Sequence, residues 1–89
     1  MKTLIIDGRR CKTKELTFAY LLKKIKFPPY FGNNLDALHD VLTSYRESLH
    51  FHIRYSSSVE ANLGIWGKNL LHVFQNAAEE NKNISVEVL

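Results

Sequence analysis

Asp36 and Asp40 stand four residues apart, with His39 between them and Thr43 one turn further on. On a helix, residues i and i+4 are neighbours, so the two carboxylates would share one patch of surface. Like charges at that spacing destabilise an isolated helix by about 0.2–0.5 kcal/mol. Asp36, in the first turn, recovers part of this through the helix dipole, whereas Asp40 recovers little. Together with His39 the pair suggests a metal site or an acid–base couple, since imidazole and carboxylate serve both. Two carboxylates and one imidazole along a single exposed helix lack a fourth partner and a dry pocket, so that reading is the weaker one. Spacing alone describes a solvated acidic face. What adds to it is Tyr30 and Phe31, aromatics in a Pro/Gly loop that leads directly into the helix. An aromatic and paired carboxylates on a rigid element make a receptor for arginine or lysine, which bind carboxylates through charge-assisted hydrogen bonds.

The elements that must hold these residues follow from hydrophobic period. Met1–Ile6 reads as a strand, closed by the turn signal Asp7–Gly8. Lys14–Ile25 reads as a helix, with Leu16, Ala19, Leu22, Phe18 and Ile25 recurring at spacings of three and four. Pro28 and Pro29 end it, because proline lacks the amide donor and restricts the residue before it. Asn33 or Asn34 caps the next helix, which runs to about Ser44 and turns Leu35, Leu38, Leu42 and Tyr45 inward. Leu49–Tyr55 alternates Leu49, Phe51 and Ile53 with His50, His52 and Arg54, a strand with one apolar face. Its two histidines are read as structural. Ser56–Ser58 reads as a break, followed by a helical turn near Val59–Leu63. Gly67 then precedes a strong helix containing Leu70, Val73, Phe74 and Ala77. Asn83–Leu89 alternates again. Strands separated by helices predict βαβ units and a parallel sheet. Alternating strands predict helices mainly on one face, since a sheet covered on both sides reads as continuous apolar runs. The expected class is α/β in two layers.

Eighty-nine residues make one domain, 1–89, large enough for a core without staples. No apolar run approaches the roughly 18 residues of a membrane span, and the first apolar segment ends too early, at Asp7, for a signal peptide. A single cysteine, Cys11, cannot form an internal disulfide, and a cytoplasmic location is the default. Net charge is +3, but unevenly divided. Residues 1–26 carry eight basic residues against Asp7 and Glu15, a net of +6, while residues 27–89 carry four against seven, a net of −3. A basic segment can contact nucleic acid; scattered lysines on a helix are more often a solvated face.

The segment Tyr30-Phe31-Gly32-Asn33-Asn34-Leu35-Asp36-Ala37-Leu38-His39-Asp40 closely resembles the central motif of the barstar family, intracellular inhibitors of bacterial ribonucleases. The resemblance extends to Ile6-Asp7-Gly8 and to Val73-Phe74 with Glu80 beyond, so it covers nearly the whole chain. It implies a three-stranded parallel sheet with helices against it and no catalytic activity, metal or cofactor. It also implies a partner, a barnase-like ribonuclease or a toxin nuclease domain, held one-to-one by a monomeric immunity protein or antitoxin. The second helix and the loop before it would enter the nuclease site, with Asp40 standing in for phosphate, Asp36 meeting a further arginine, and Tyr30 packing on the catalytic histidine beside Gly32. Asn34, Leu35, Thr43, Ser44 and Tyr45 would complete the contact ring. His39 and Tyr45 stand where the family prototype carries tryptophans, Ser44 where it has glycine, and Asn76 where a glutamate makes a peripheral salt bridge. The prototype is strongly acidic and this chain is basic. Neither a membrane nor direct nucleic-acid contact is expected, although a small nucleic-acid-binding module built on the basic first helix is the alternative.

Overall fold

The computed structural model describes residues 2–28 and 31–89. Three strands, β1 (Lys2–Asp7), β2 (Leu49–Arg54) and β3 (Ile84–Val88), form one sheet in the order β1-β2-β3, with both pairings parallel. Leu4 lies opposite Phe51 and Ile6 opposite Ile53, and Phe51 in turn pairs with Val86. Crossovers between parallel strands are overwhelmingly right-handed, and two taken in the same direction place their helices on the same face. The register fits that layout. Ile6, Leu49, Phe51, Ile53 and Ile84 are buried, with Leu4, Val86 and Val88 packed beside them. Thr3, Ile5, His50, His52, Ser85 and Glu87 alternate onto the other face, where Ile5 remains 41% exposed. The two-layer α/β reading of the sequence holds.

The helices are α1 (Lys14–Lys24), α2 (Leu35–Thr43) and α3 (Ser56–Glu80), with a 3-10 turn at Gly8–Arg10 after β1. Thr13 caps α1, its hydroxyl oxygen accepting from the Leu16 amide at 3.0 Å. The buried face of α1 keeps Phe18 and Ile25 of the expected apolar set but not Leu16, Ala19 and Leu22. Thr17, Phe18, Tyr20 and Leu21 are buried, while Leu16 and Leu22 are 52% and 44% exposed. Both stripes have helical spacing, so tertiary contacts choose between them. Phe18 meets Phe31 and Trp66 edge-on, with ring centroids 5.8 and 5.7 Å apart. The Tyr20 hydroxyl accepts from the Asp7 amide at 2.9 Å, tying α1 to the end of β1.

In α3 the break falls elsewhere than the sequence suggests. Ser56–Ser58 is already helical, and the non-helical residue is Gly64 (φ 61°, ψ −137°), a conformation open to glycine alone. Gly67 does not precede a helix but lies inside one, buried, where a Cβ would come 2.5 Å from the Val59 carbonyl oxygen. It is small because two backbones meet there. At the far end of α3, Asn81 is buried and its side-chain amide donates to the carbonyls of Leu42 and Tyr45, both at 2.9 Å. Those bonds fasten the end of α2 to the α3–β3 connection.

Candidate functional site

Asn34, and not Asn33, caps α2: its Oδ1 accepts from the Ala37 amide at 2.8 Å while its Nδ2 donates to the Gly32 carbonyl at 3.3 Å. Asn33 takes the left-handed backbone (φ 51°) that turns the chain into the helix, a region where asparagine is enriched. One side-chain amide therefore joins the loop to the first turn, which fixes where Asp36 begins its climb. Leu38 and Leu42 are fully buried, and Leu35 and Val41 pack against the same core. That anchoring leaves Asp36 and Asp40 exposed and His39 and Thr43 half-buried. Neither aspartate has an ion-pair partner among the described residues.

The end of α2 is closed by its own hydroxyls. Thr43 Oγ1 donates to the His39 carbonyl at 2.9 Å, and Ser44 Oγ donates to the Asp40 carbonyl at 2.7 Å. The Tyr45 hydroxyl accepts from the Lys26 amide at 2.9 Å, which pins the start of the Pro loop against the end of the helix. Between loop and helix lies an open groove of about 620 Å³. Pro28, Phe31, Ala37 and Val41 give it apolar surface, Asp40 and Ser44 line it from α2, and Lys26, Arg46 and Glu47 bring charge of both signs. Asp36 is not among its lining residues. The arrangement offers a carboxylate beside an apolar slot, held by a capped helix.

The same description as the sequence motif now attaches to a whole fold. The family model described as Barstar (barnase inhibitor) matches residues 1–89. The chain belongs to the barstar family. A relative in Bacillus subtilis (strain 168), named "Putative ribonuclease inhibitor YrdF", is 37% identical over 84 residues, covering 93% of this chain and 92% of that protein.

Within this barstar-family framework, the structure places the residues singled out in the sequence unequally. Gly32, Asn34, Leu35, Asp36, His39, Asp40, Thr43, Ser44 and Tyr45 lie along the loop end and α2 or just past it. Leu35 and Tyr45 are partly engaged by the core; Asn34, Thr43 and Ser44 spend hydrogen bonds on capping. Tyr30 lies outside the described residues. Asn76 is exposed on α3, one turn before Glu80. Glu80 was legible only as part of the family likeness, yet its carboxylate pairs with His39 Nε2 and so bridges α2 and α3. Sequence reasoning missed Lys26, Arg46 and Glu47, whose place on the groove depends on the loop's course and carries no periodic signal.

The metal reading gains no support from this geometry. Among the described residues no three His, Cys, Asp or Glu side chains are placed to share an ion, and His39 turns to Glu80. His50 and His52 each bring Nε2 to within 4 Å of one Glu87 oxygen (3.8 and 3.9 Å), and His50 Nδ1 lies 2.8 Å from the Ser85 hydroxyl. These contacts cross-link β2 and β3 on the sheet face away from α2. No helix among the described residues is long and apolar enough to cross a membrane.

Proposed function

We propose that this chain is a protein inhibitor of a microbial ribonuclease, binding it one-to-one and occluding its active site with α2 and the loop before it. The observation that carries this reading is a pair of exposed carboxylates with no ion-pair partner among the described residues, on a capped helix, one of them lining an open groove. Ribonucleases hold RNA phosphates with arginine, lysine and histidine, and a carboxylate on a fixed helix presents an anion that the same cations can bind. Membership of the barstar family and the name of the Bacillus relative support the same role. In this reading Asp40 takes the position of phosphate and Asp36 pairs with a second cation. The groove receives an apolar or imidazole side chain of the enzyme; Tyr30, with Gly32 beside it, packs on the enzyme's catalytic histidine, and Asn34, Leu35, Thr43, Ser44 and Tyr45 complete the contacts with the enzyme. His39 acts mainly through Glu80, holding α2 to α3, and Asn76 lies at the periphery. The protein itself performs no chemistry.

The test is inhibition. Purified protein titrated into a barnase-type ribonuclease and into toxin nuclease domains of the same organism should abolish RNA cleavage by one of them at one equivalent. Calorimetry should give the same stoichiometry. Nuclease activity that copurifies with the protein and disappears in Asp36→Ala would refute the inhibitor role.

A further inference from the structure

The basic segment acquires a shape in the fold. A second groove, of about 390 Å³, runs between the 3-10 turn after β1 and helix α1, and four cations line it: Arg9, Arg10, Lys12 and Lys23. Among the described residues no carboxylate lines it. Its remaining walls are Leu16, Ala19 and Tyr20, and it shares no lining residue with the groove beside α2. Arg9 is engaged by Asp7, with nitrogen–oxygen distances of 3.1 and 2.9 Å. Arg10, Lys12 and Lys23, along with Lys24 beside them, have no carboxylate partner among the described residues. Unpaired cations gathered into one concavity repel each other, and an anion with several charges relieves that repulsion.

We propose that this groove binds the phosphodiester backbone of a single-stranded nucleic acid. A concave channel admits one strand but not a duplex, which must itself receive a protruding element of the protein. An anionic membrane is a poorer match, because interfacial binding needs an apolar ridge pushed into the headgroups, whereas here the cations line a hollow. Base readout is absent by construction. Tyr20 is only 7% exposed, and Arg10 and Lys24 already lie over its ring, 4.7 and 5.5 Å from the centroid. Binding is therefore indifferent to sequence and driven by counterion release. The site stands independently of the ribonuclease reading, since it uses neither α2 nor the Pro loop.

Fluorescence anisotropy with labelled oligoribonucleotides and oligodeoxyribonucleotides of about 16 residues tests it on the intact protein. Three or four phosphate contacts predict that affinity falls roughly 20- to 50-fold between about 50 and 200 mM salt, with similar affinity for mixed and homopolymeric strands. Lys12→Gln with Lys23→Gln, both exposed and unpaired, should keep the wild-type melting curve and lower the salt slope by about 1.4. Asp40→Asn should bind the strand as wild type does, so a failed ribonuclease assay and a failed strand-binding assay are separable. If oligonucleotides do not bind at low salt, or the double variant keeps the full slope, the proposal is overturned. It is overturned equally if phosphatidylserine vesicles bind while strands do not, or if Asp40→Asn abolishes strand binding.

Discussion

Asp36 and Asp40 share a helix face but not an environment. Asp36 sits in the first turn, where the helix dipole favours its charge; Asp40 sits beside the groove, where a docked partner would strip it of water. Asp40→Ala should therefore weaken partner binding by about 2 kcal/mol or more, mostly through faster dissociation, because it leaves the partner's cations buried and uncompensated. Those magnitudes are established for the family's prototype complex with barnase and are carried over from it. Asp36→Ala should cost less, and its thermal melt should be unchanged or slightly raised as the i,i+4 repulsion disappears. Calorimetry with the inhibited nuclease gives the order, and a melt several degrees lower for Asp36→Ala would make it a structural residue. Cys11 makes a different residue-scale case. It is 1% exposed, and burial pushes its thiol above the ordinary cysteine range. The folded state thus holds the proton more tightly than the unfolded chain, so this contribution to stability is complete below about pH 8.5 and declines as pH rises past it. A thiol-reactive dye should leave the native protein unlabelled at neutral pH and react at once in denaturant.

At the scale of elements, α2 is held from below by two leucines and at its ends by side-chain amides. Leu38 and Leu42 are fully buried, so either one replaced by alanine should lose roughly 2–5 kcal/mol of stability, measurable as a lower denaturant midpoint. The kinked α3 offers a sharper contrast. At Gly64 a Cβ meets nothing within 4 Å, but the backbone conformation is strained for any other residue, so Gly64→Ala should cost about 1–3 kcal/mol. At Gly67 the conformation is ordinary and the space is missing, since the Val59 backbone blocks the new methyl. Gly67→Ala should be the worse of the two, because a main-chain carbonyl cannot rotate aside. Urea unfolding of the pair separates strain from collision, and equal midpoints would contradict the packing described for α3.

The whole molecule divides its charge. The turn and helix after β1 carry the excess of cations, and α2 carries two acids, Asp36 and Asp40, with no ion-pair partner among the described residues. In the proposed complex a positive ribonuclease cleft would attract the acidic face and turn the basic one away, which would orient the encounter even when net charge gives little long-range pull. The radius of gyration, 11.9 Å, matches the roughly 12 Å expected of a compact chain of this length. All three helices and all three strands contribute to one core. The chain should accordingly unfold in one step, with equal calorimetric and van't Hoff enthalpies near 60 kcal/mol. Two resolved transitions would mean that α3 or β1 melts separately.

By itself the sequence determined what depends on local period and on residue chemistry. Alternation in Leu49–Ile53 and Ile84–Val88, the spacing of Leu38 and Leu42, and the Pro28–Pro29 stop are readable without a fold, because each expresses a preference of the chain for its own neighbours. The carboxylate pair and the family likeness followed from the same stretch. The tertiary structure decided what depends on residues far apart in the chain. Leu16, Ala19 and Leu22 have as good a helical period as Phe18, Leu21 and Ile25, and only contacts with Phe31, Trp66 and Asp7 select the second stripe. Gly64 and Gly67 are alike as letters, yet one bends the chain and the other admits a neighbouring backbone. His39 meets Glu80 across 41 positions, and Arg9, Arg10, Lys12 and Lys23 become one groove only when α1 folds back on the turn after β1. Period is a one-dimensional signal; which face meets which, and which charges gather, is set by the energy of packing in three dimensions.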